Sequence, residues 1–303
     1  MTCTYQDIEK KRLDSYLAEI LPDMSRSHIS GLIRKEIVLV NGKTTKPGYS
    51  LLAGDTIRLI EEAPKETSVL AEDIPMDIVY EDEDIIIVNK PKNMVVHPAA
   101  GHYENTLVNA LMFHCKDSLS GINGELRPGI VHRIDKDTTG LIIACKNDKA
   151  HQSVADQLAA HSITRRYVAL CNGVIKENEG TIDKNIARSR TDRKKMSVTD
   201  PKDGRRAVTH FKVLERFPHH TLIECRLETG RTHQIRVHMA SIGHALAGDE
   251  LYGIKKDRLS GNGQYLHAKV LGLIHPSTGE YLEFSSELPE YFEATIQQLR
   301  KQK

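Results

Sequence analysis

The spacing of hydrophobic positions changes several times along the chain, and each change marks a predicted element. Leu13, Tyr16, Leu17, Ile20 and Leu21 recur at helical spacing. A second helix is expected to start at Ser25, a good N-cap, with Ile29, Leu32 and Ile33 on its inner face. The run V-L-V-N-G-K follows, in which Asn41-Gly42 is the dipeptide of a tight hairpin turn, and a strand over 55–60 closes a small unit spanning 12–60. Residues 61–76 are acidic, contain proline and have no period, which predicts a linker.

From residue 77 onward the pattern is mostly that of strands. Apolar runs at 77–80 and 85–89 are followed by Lys90-Pro91-Lys92, and 105–115 has helical period. A short apolar approach then carries His132 and Arg133, delivers Asp135, turns through Asp137-Thr138-Thr139-Gly140 and leaves as the apolar run 141–145. Helical spacing at 148–163, strands at 165–170, 208–215 and 221–228, a helix over 233–242, a strand over 266–275 and a helix over 289–300 complete the chain. Several strands are joined by turns too short for crossover helices. The expected body, 77–303, is therefore an α+β fold with a mixed, largely antiparallel central sheet, preceded by the small N-terminal α/β domain.

Composition adds little until it is read locally. Lys plus Arg number 42 against 41 Asp plus Glu, so overall charge selects no partner. Two stretches depart from this balance: 26–46 has five basic residues against one acid, and 184–206 has nine against three. The second has little apolar content and reads as an exposed loop or extended arm. Either stretch is a solvated face or a surface for a polyanion. Five scattered cysteines with no C-x-x-C pair argue against a disulfide framework or a thiolate metal site and fit a reducing compartment. With no apolar leader and no run of membrane-spanning length, a cytoplasmic protein is expected, with no membrane partner.

Three polar features stand at strand ends or a helix start: Asp135, Tyr167 and the pair Arg231/Arg236. Taken singly, each has an ordinary reading as a turn cap, a core tyrosine or surface arginines. The stretch R-T-H-Q-I-R-V-H is harder to read that way, because Ile235, Val237 and Met239 bracket Arg236. A desolvated guanidinium needs a carboxylate, and Asp135 is the obvious one. Such a cation favours the carboxylate form and fixes its direction. Asp135-Lys136-Asp137-Thr138-Thr139 also fits the D-x-D-x-T signature of magnesium-dependent phosphatases, but His132 and Arg133 interrupt the strand that should precede it. The 15 histidines show no ligand spacing, since His233 and His238 do not share a helix face. A non-catalytic RNA-binding or ribosome-assembly factor would account for the basic stretches, yet has no use for an arginine aimed at an acid.

The sequence also carries a family resemblance. L-D-S-Y-L, M-S-R-S-H-I-S-G-L-I-R, V-L-V-N-G-K and G-D-T-I-R-L, in that order, resemble the small RNA-binding module first known from a ribosomal small-subunit protein, the S-four type. V-N-K-P with V-V-H-P-A-A-G, H-R-I-D-K-D-T-T-G-L, R-R-Y-V-A-L, R-K-K-M with A-V-T-H-F, E-T-G-R-T-H-Q-I-R-V-H-M and G-D-E-L-Y-G resemble the motifs of the RNA pseudouridine synthases. The similarity is to the branch acting on large-subunit ribosomal and some transfer RNAs, and within it to the D type.

The resemblance implies an isomerase that breaks the bond from ribose C1′ to uracil N1, turns the base and rejoins it through C5, with neither cofactor nor metal. It assigns catalysis to Asp135, stacking and C5 deprotonation to Tyr167, and the ion pair to Arg236. It gives base extrusion to Arg133, in a base-binding loop that also holds His132 and Thr139, and makes Leu141 and Ile235 apolar walls. Arg231 joins the RNA- and base-binding residues, and phosphate contacts fall to Arg193, Lys194 and Lys195 of the basic arm and to Arg26, Arg34 and Lys35 of the small unit. The implied partner is large-subunit (23S-type) ribosomal RNA, free or in an assembling subunit, with exposed loop uridines as targets and a monomeric enzyme.

Overall fold

The computed structural model describes residues 2–7, 9–21, 26–60, 69–98, 102–116, 118–124, 127–254, 257, 259 and 263–302. The expected cap at Ser25 lies outside them. The chain divides into two compact units, 1–67 and 68–303.

The first unit contains β1 (Thr2–Thr4), β2 (Lys11–Arg12), α1 (Leu13–Ile20), α2 (Arg26–Arg34), β3 (Val38–Val40), β4 (Lys43–Thr44), β5 (Ser50–Leu51) and β6 (Thr56–Leu59). Its main sheet has the order β1-β6-β3-β4, while β2 pairs with β5. Asn41 and Gly42 both adopt positive φ, 52° and 77°, as the tight turn between β3 and β4 requires. Leu13 and Leu17 of α1 and Ile29 and Ile33 of α2 pack on Val38, Val40 and Ile57, so the helical and the strand periods converge on one core. Asp14 is buried beside that core and accepts hydrogen bonds from Arg12 (2.9 Å) and Arg26 (3.2 Å).

The second unit runs through β7 (Ile78–Glu81), β8 (Ile85–Lys90), α3 (Leu107–Cys115), β9 (Thr139–Cys145), α4 (Asp148–Ala159) and β10 (Thr164–Asn172). It continues with β11 (Glu179–Arg188), β12 (Met196–Thr199), β13 (Arg205–Arg216), β14 (His220–Leu227), α5 (Gln234–Ser241), β15 (Leu266–Ile274), β16 (Tyr281–Ser285) and α6 (Glu290–Arg300). One sheet has the order β12-β11-β13-β14-β10-β15-β9-β8-β7, with β16 also on β15. Every pairing is antiparallel except β9 with β15. No described helix is long and apolar enough to cross a membrane.

Period-two alternation sorts the side chains onto two faces. Tyr167, Ala169 and Cys171 of β10 and Ile142 and Ala144 of β9 join the core under α3 and α5. Leu141, Ile143 and Cys145 face the other way, against Ala150 and Val154 of α4. Val168 and Leu170 meet Phe292 and Ile296 of α6. Pairing β9 with β15 depends on Gly140, at φ 105°: a Cβ there would lie 2.3 Å from the Ala268 carbonyl oxygen.

Two sequence expectations change. The basic stretch 184–206 is loop only in part: 184–188, 196–199 and 205–206 belong to β11, β12 and the start of β13 at the edge of the sheet, and 189–195 and 200–204 are the connections between them. Ile182, Ile186 and Ala207 supply enough buried surface for the ladder, and the charged residues alternate outward. The predicted linker is also shorter than 61–76. Val69 is buried in the main core, Leu70 accepts from the Asn109 amide at 2.7 Å, and the Glu72 amide donates to the Asn109 carbonyl at 3.0 Å. This segment packs on α3 despite its polar composition, because its backbone has partners there. The short strand β16 has a half-exposed pattern that no apolar run announces.

The Arg12 hydrogen bond, then Arg26, outweigh burial and hold the Asp14 carboxyl at about 2 rather than its usual 3.8. A depressed carboxyl pKa stabilises the fold above the unfolded value and loses that contribution as pH falls through the folded one. Asp14→Asn is therefore expected to lower the denaturation midpoint of the first unit at pH 7. The gap from wild type should shrink between pH 4 and pH 2, as followed by urea titration at each pH.

Candidate active site

Asp135 sits on an irregular segment wedged where β9 and β15 part. The two strands pair only at Thr139–His267 and Gly140–Ala268. Beyond that point the Cys145 amide donates to the Gly129 carbonyl (2.8 Å) and the Ile143 amide donates to His132 Nε2 (3.1 Å). His132 thus replaces a strand partner. Burial, then Arg165, pull its pKa down to about 3, so it is a neutral acceptor. On the other side of the loop Lys90, 1% exposed, donates to the carbonyls of Pro91 (2.7 Å), Met94 (2.9 Å) and Lys136 (3.0 Å). Burial lowers its ammonium to about 7, against the pull of Asp137 and Asp135. Gln264 holds Thr138 at 3.1 Å.

The opposite wall is α5, whose start is fixed by one amide. Gln234 Oε1 accepts from Thr229 Oγ1 (2.8 Å) and the Arg231 amide (2.9 Å), while its Nε2 donates to the Val208 carbonyl (2.9 Å) and Thr209 Oγ1 (3.0 Å). All four positions of a buried amide are used, so the helix has one register against β13. That register places Arg236, 5% exposed, between two acids. Nη1 donates to Asp135 Oδ2 at 2.8 Å, Nε to Asp249 Oδ2 at 2.7 Å and Nη2 to Asp249 Oδ1 at 2.9 Å. Burial opposes the charge and the Asp249 and Asp135 carboxylates overcome it, leaving the guanidinium pKa raised. Asp249, with a fully buried side chain, also accepts the amides of Leu251 and Tyr252. Asp249 anchors the cation, and the cation aims Asp135.

His233 approaches Asp135 from the other oxygen, with Nε2 3.8 Å from Oδ1. Its backbone is left-handed, φ 56°, an uncommon state for a non-glycine residue that turns the ring toward the acid. Its Nδ1 lies 2.8 Å from the Tyr252 hydroxyl, which itself accepts the Met196 amide of β12 at 2.7 Å. A hydroxyl that accepts there has its own proton free for Nδ1. Burial pulls the imidazole pKa below its ordinary value despite Asp135, so the ring is neutral with its single proton on Nε2.

Asp135, Arg236 and Tyr167 line one cavity of about 520 Å³ with Ile235, Arg231, His132 and Arg133. Asp135 is the one carboxylate among its described lining residues. Tyr167 is 7% exposed, and burial raises its phenol pKa above the ordinary value. A bulge in the β10–β15 ladder falls between Arg166 and Tyr167. Arg133, exposed at the rim, rests its Nη1 3.2 Å from Nε2 of His97, whose pKa burial and then Arg133 lower to about 4.

Other expected residues lie elsewhere. Leu141 does not wall the cavity: strand alternation sends it to the α4 face. Thr139 does not reach it either, and is buried against His267 at 2.8 Å. Arg26, expected on RNA, has its guanidinium engaged by Asp14, whereas Arg34 and Lys35 are exposed. Arg193 and Lys194 are exposed in the turn joining β11 to β12, with Lys195 half-buried beside them. Sequence reasoning missed Asp249, Tyr252, His97 and Lys90 as site residues. For Asp249 a signal existed, an acid in G-D-E-L-Y-G following the arginine helix. Asp82, Asp84 and His275 also converge, but His275 Nδ1 accepts the amides of Ser277 and Thr278, so Nε2 donates to Asp82 at 2.7 Å.

Both units of the chain resemble known proteins. Residues 84–241 match the family model described as RNA pseudouridylate synthase, and residues 11–57 match that of the S4 domain. The chain is 52% identical to the RNA pseudouridine synthase YlyB of Bacillus subtilis over 296 residues, 98% of this chain and 96% of the relative. It is 46% identical to ribosomal large subunit pseudouridine synthase D of Zymomonas mobilis over 288 residues, 92% of this chain and 90% of the relative. The fold is shared with human RNA pseudouridylate synthase domain containing 1, at a TM-score of 0.59 and 24% identity over 78% of this chain and 97% of that one.

The hydrogen-bond order at His233 makes a spectroscopic prediction. Long-range ¹⁵N–¹H spectra of histidine-labelled protein should show His233 as the Nε2–H tautomer, and Tyr252→Phe should convert it to a mixture. An Nδ1–H signal in the wild type would contradict the assigned direction.

Proposed function

Because the chain belongs to the RNA pseudouridine synthases, we propose that Asp135 is the carboxylate on which its isomerisation of uridine turns. The supporting observation is the chain Asp249–Arg236–Asp135, which holds one charged oxygen pair at the floor of a cavity with no other described acid. Preorganised in this way, the carboxylate needs no reorientation when the bond from C1′ to N1 breaks and that from C1′ to C5 forms. The Tyr167 ring and Ile235 supply apolar surface for the uracil. With its phenol kept neutral, Tyr167 takes up the C5 proton only as it passes its own hydroxyl proton on, and the proton lost at C5 is balanced by the one gained at N1 of the same base. Arg133, a planar cation lightly held by a neutral histidine at the rim, takes the place of the extruded base.

The substrate is RNA, and large-subunit ribosomal RNA is the reading favoured by relatives named ribosomal large subunit pseudouridine synthase D. Arg193 and Lys194 in the β11–β12 turn, and Arg34 and Lys35 in the first unit, are exposed cations suited to phosphate contacts that position the RNA without reading it. The same reading puts the protein in the cytoplasm, where that RNA is made and assembled.

Asp135→Asn should bind an unmodified large-subunit rRNA transcript as the wild type does, yet form pseudouridine at least about a hundredfold more slowly. Gel shift and pseudouridine mapping read the two parts; near-normal conversion would remove Asp135 from its role, and wild-type binding without conversion would favour a non-catalytic binder. Deleting residues 1–67 should leave a folded body whose apparent affinity for the transcript falls by at least about tenfold. Undiminished affinity would refute the role given to the first unit.

A further inference from the structure

Two arginines are buried in the cavity wall, and their surroundings differ. Arg236 is matched by two carboxylates. Arg165, 6% exposed at the start of β10, has none within ion-pair distance among the described residues. Its Nη2 donates to the Glu228 carbonyl at 3.2 Å, and its buried Nε has no hydrogen-bond partner. The adjoining residues are built around the guanidinium. Gly230 leaves room for it, since a Cβ there would lie 2.7 Å from Nη1, and φ at Gly230 is not in the left-handed region, so space alone is the requirement. His132 beside it stays neutral and so adds no second positive charge.

An unmatched buried cation is costly, by far more than a satisfied one, and is retained where a ligand completes it. The ligand's chemistry follows from what enters the cavity. A uridine in RNA is neutral in its base and sugar and anionic only at its flanking phosphates. A guanidinium short of a counter-charge gains more from an anion than from a uracil carbonyl.

We propose that Arg165 forms an anion subsite inside the catalytic cavity, receiving a phosphate that flanks the extruded uridine. The subsite rests on the reading above only in taking an RNA uridine as the occupant of the cavity. It fixes the nucleotide at its backbone while Tyr167, on the same strand two residues along, contacts the base. The spacing matters because residues i and i+2 of a strand point to the same side, so one rigid strand presents both contacts.

The test is binding without turnover, by calorimetry on the full chain with uridine and uridine 3′,5′-bisphosphate as probes. The wild type should prefer the bisphosphate by about tenfold or more. Arg165→Gln should bring that preference to within about twofold while leaving uridine affinity in place, and Arg165→Lys should retain part of it as a point charge without a fork. Gly230→Ala, which displaces the guanidinium without removing it, should lose the preference and keep the fold, and so serves if Arg165→Gln does not fold. Equal binding of the two probes to the wild type, including no detectable binding of either, overturns the subsite. An unchanged preference in Arg165→Gln and Gly230→Ala does so as well. If Arg165→Gln weakens both probes alike, Arg165 contacts the nucleoside and the phosphate assignment is wrong. Failure to convert rRNA bears on the proposed function and leaves this comparison unaffected. The separate 3′- and 5′-monophosphates then identify which linkage is held.

Discussion

One buried guanidinium between two carboxylates organises this active site. Arg236 could not be placed under α5 without a counter-charge, and Asp249, itself fully buried, takes its hydrogen bonds from Arg236 and two backbone amides. Asp135 completes the set from a loop 101 residues away in sequence, with its side chain still 19% exposed. The two acids differ in exposure: Asp249, with none, anchors the cation, and Asp135 faces the cavity. Breaking a buried pair of this kind costs roughly 3–5 kcal/mol, because the partner's charge is left unmatched.

The cavity exists because the sheet is incomplete at its centre. β9 and β15 form a parallel pair for two residues and then separate, and the segment carrying Asp135 fills the gap with one backbone carbonyl and one histidine side chain. A loop hydrogen-bonded in this way behaves as part of the sheet and holds the carboxylate with the stiffness of a strand. Gly140 permits the close approach at the point of divergence, and Lys90 closes the loop from below through three carbonyls. Neither contributes to the chemistry directly. They hold the loop that carries Asp135 from the side opposite the His132 and Gly129 contacts.

The second unit's basic character is arranged by the same alternation that builds its core. Along β11 and β13 the small apolar positions turn inward, and the cations turn outward or occupy the turns. The link from β12 to Asp135 is short: the Met196 amide, the Tyr252 hydroxyl, His233 and Asp135 follow one another within hydrogen-bond or ion-pair reach. The exposed β11–β12 turn is therefore joined to a strand whose backbone fixes the histidine tautomer beside the carboxylate. Arg236 and Arg165 are two buried cations with different surroundings, one matched by carboxylates of the protein and one with no carboxylate within ion-pair distance among the described residues.

Period and punctuation in the sequence determined the element types, the two-unit organisation and the presence of an acid followed by a rigid apolar strand. The helical spacing at Leu13–Ile20 and the alternation through β9 and β10 express local geometry that neighbouring residues are enough to specify. The Asp135–Arg236 pair was also legible, because an arginine flanked by Ile235 and Val237 must find an acid. Tertiary structure alone decided which groups surround that pair. Asp249, Lys90 and His97 reach the site from separate loops and a strand end, and nothing in their local sequence states where a distant chain segment will bring them. It also decided that Leu141 faces α4 and Thr139 faces His267. Alternation gives two faces, but which of them borders the cavity depends on what packs above each. Part of the basic stretch became strand for a similar reason: its few apolar residues suffice only because β14 and α5 cover them.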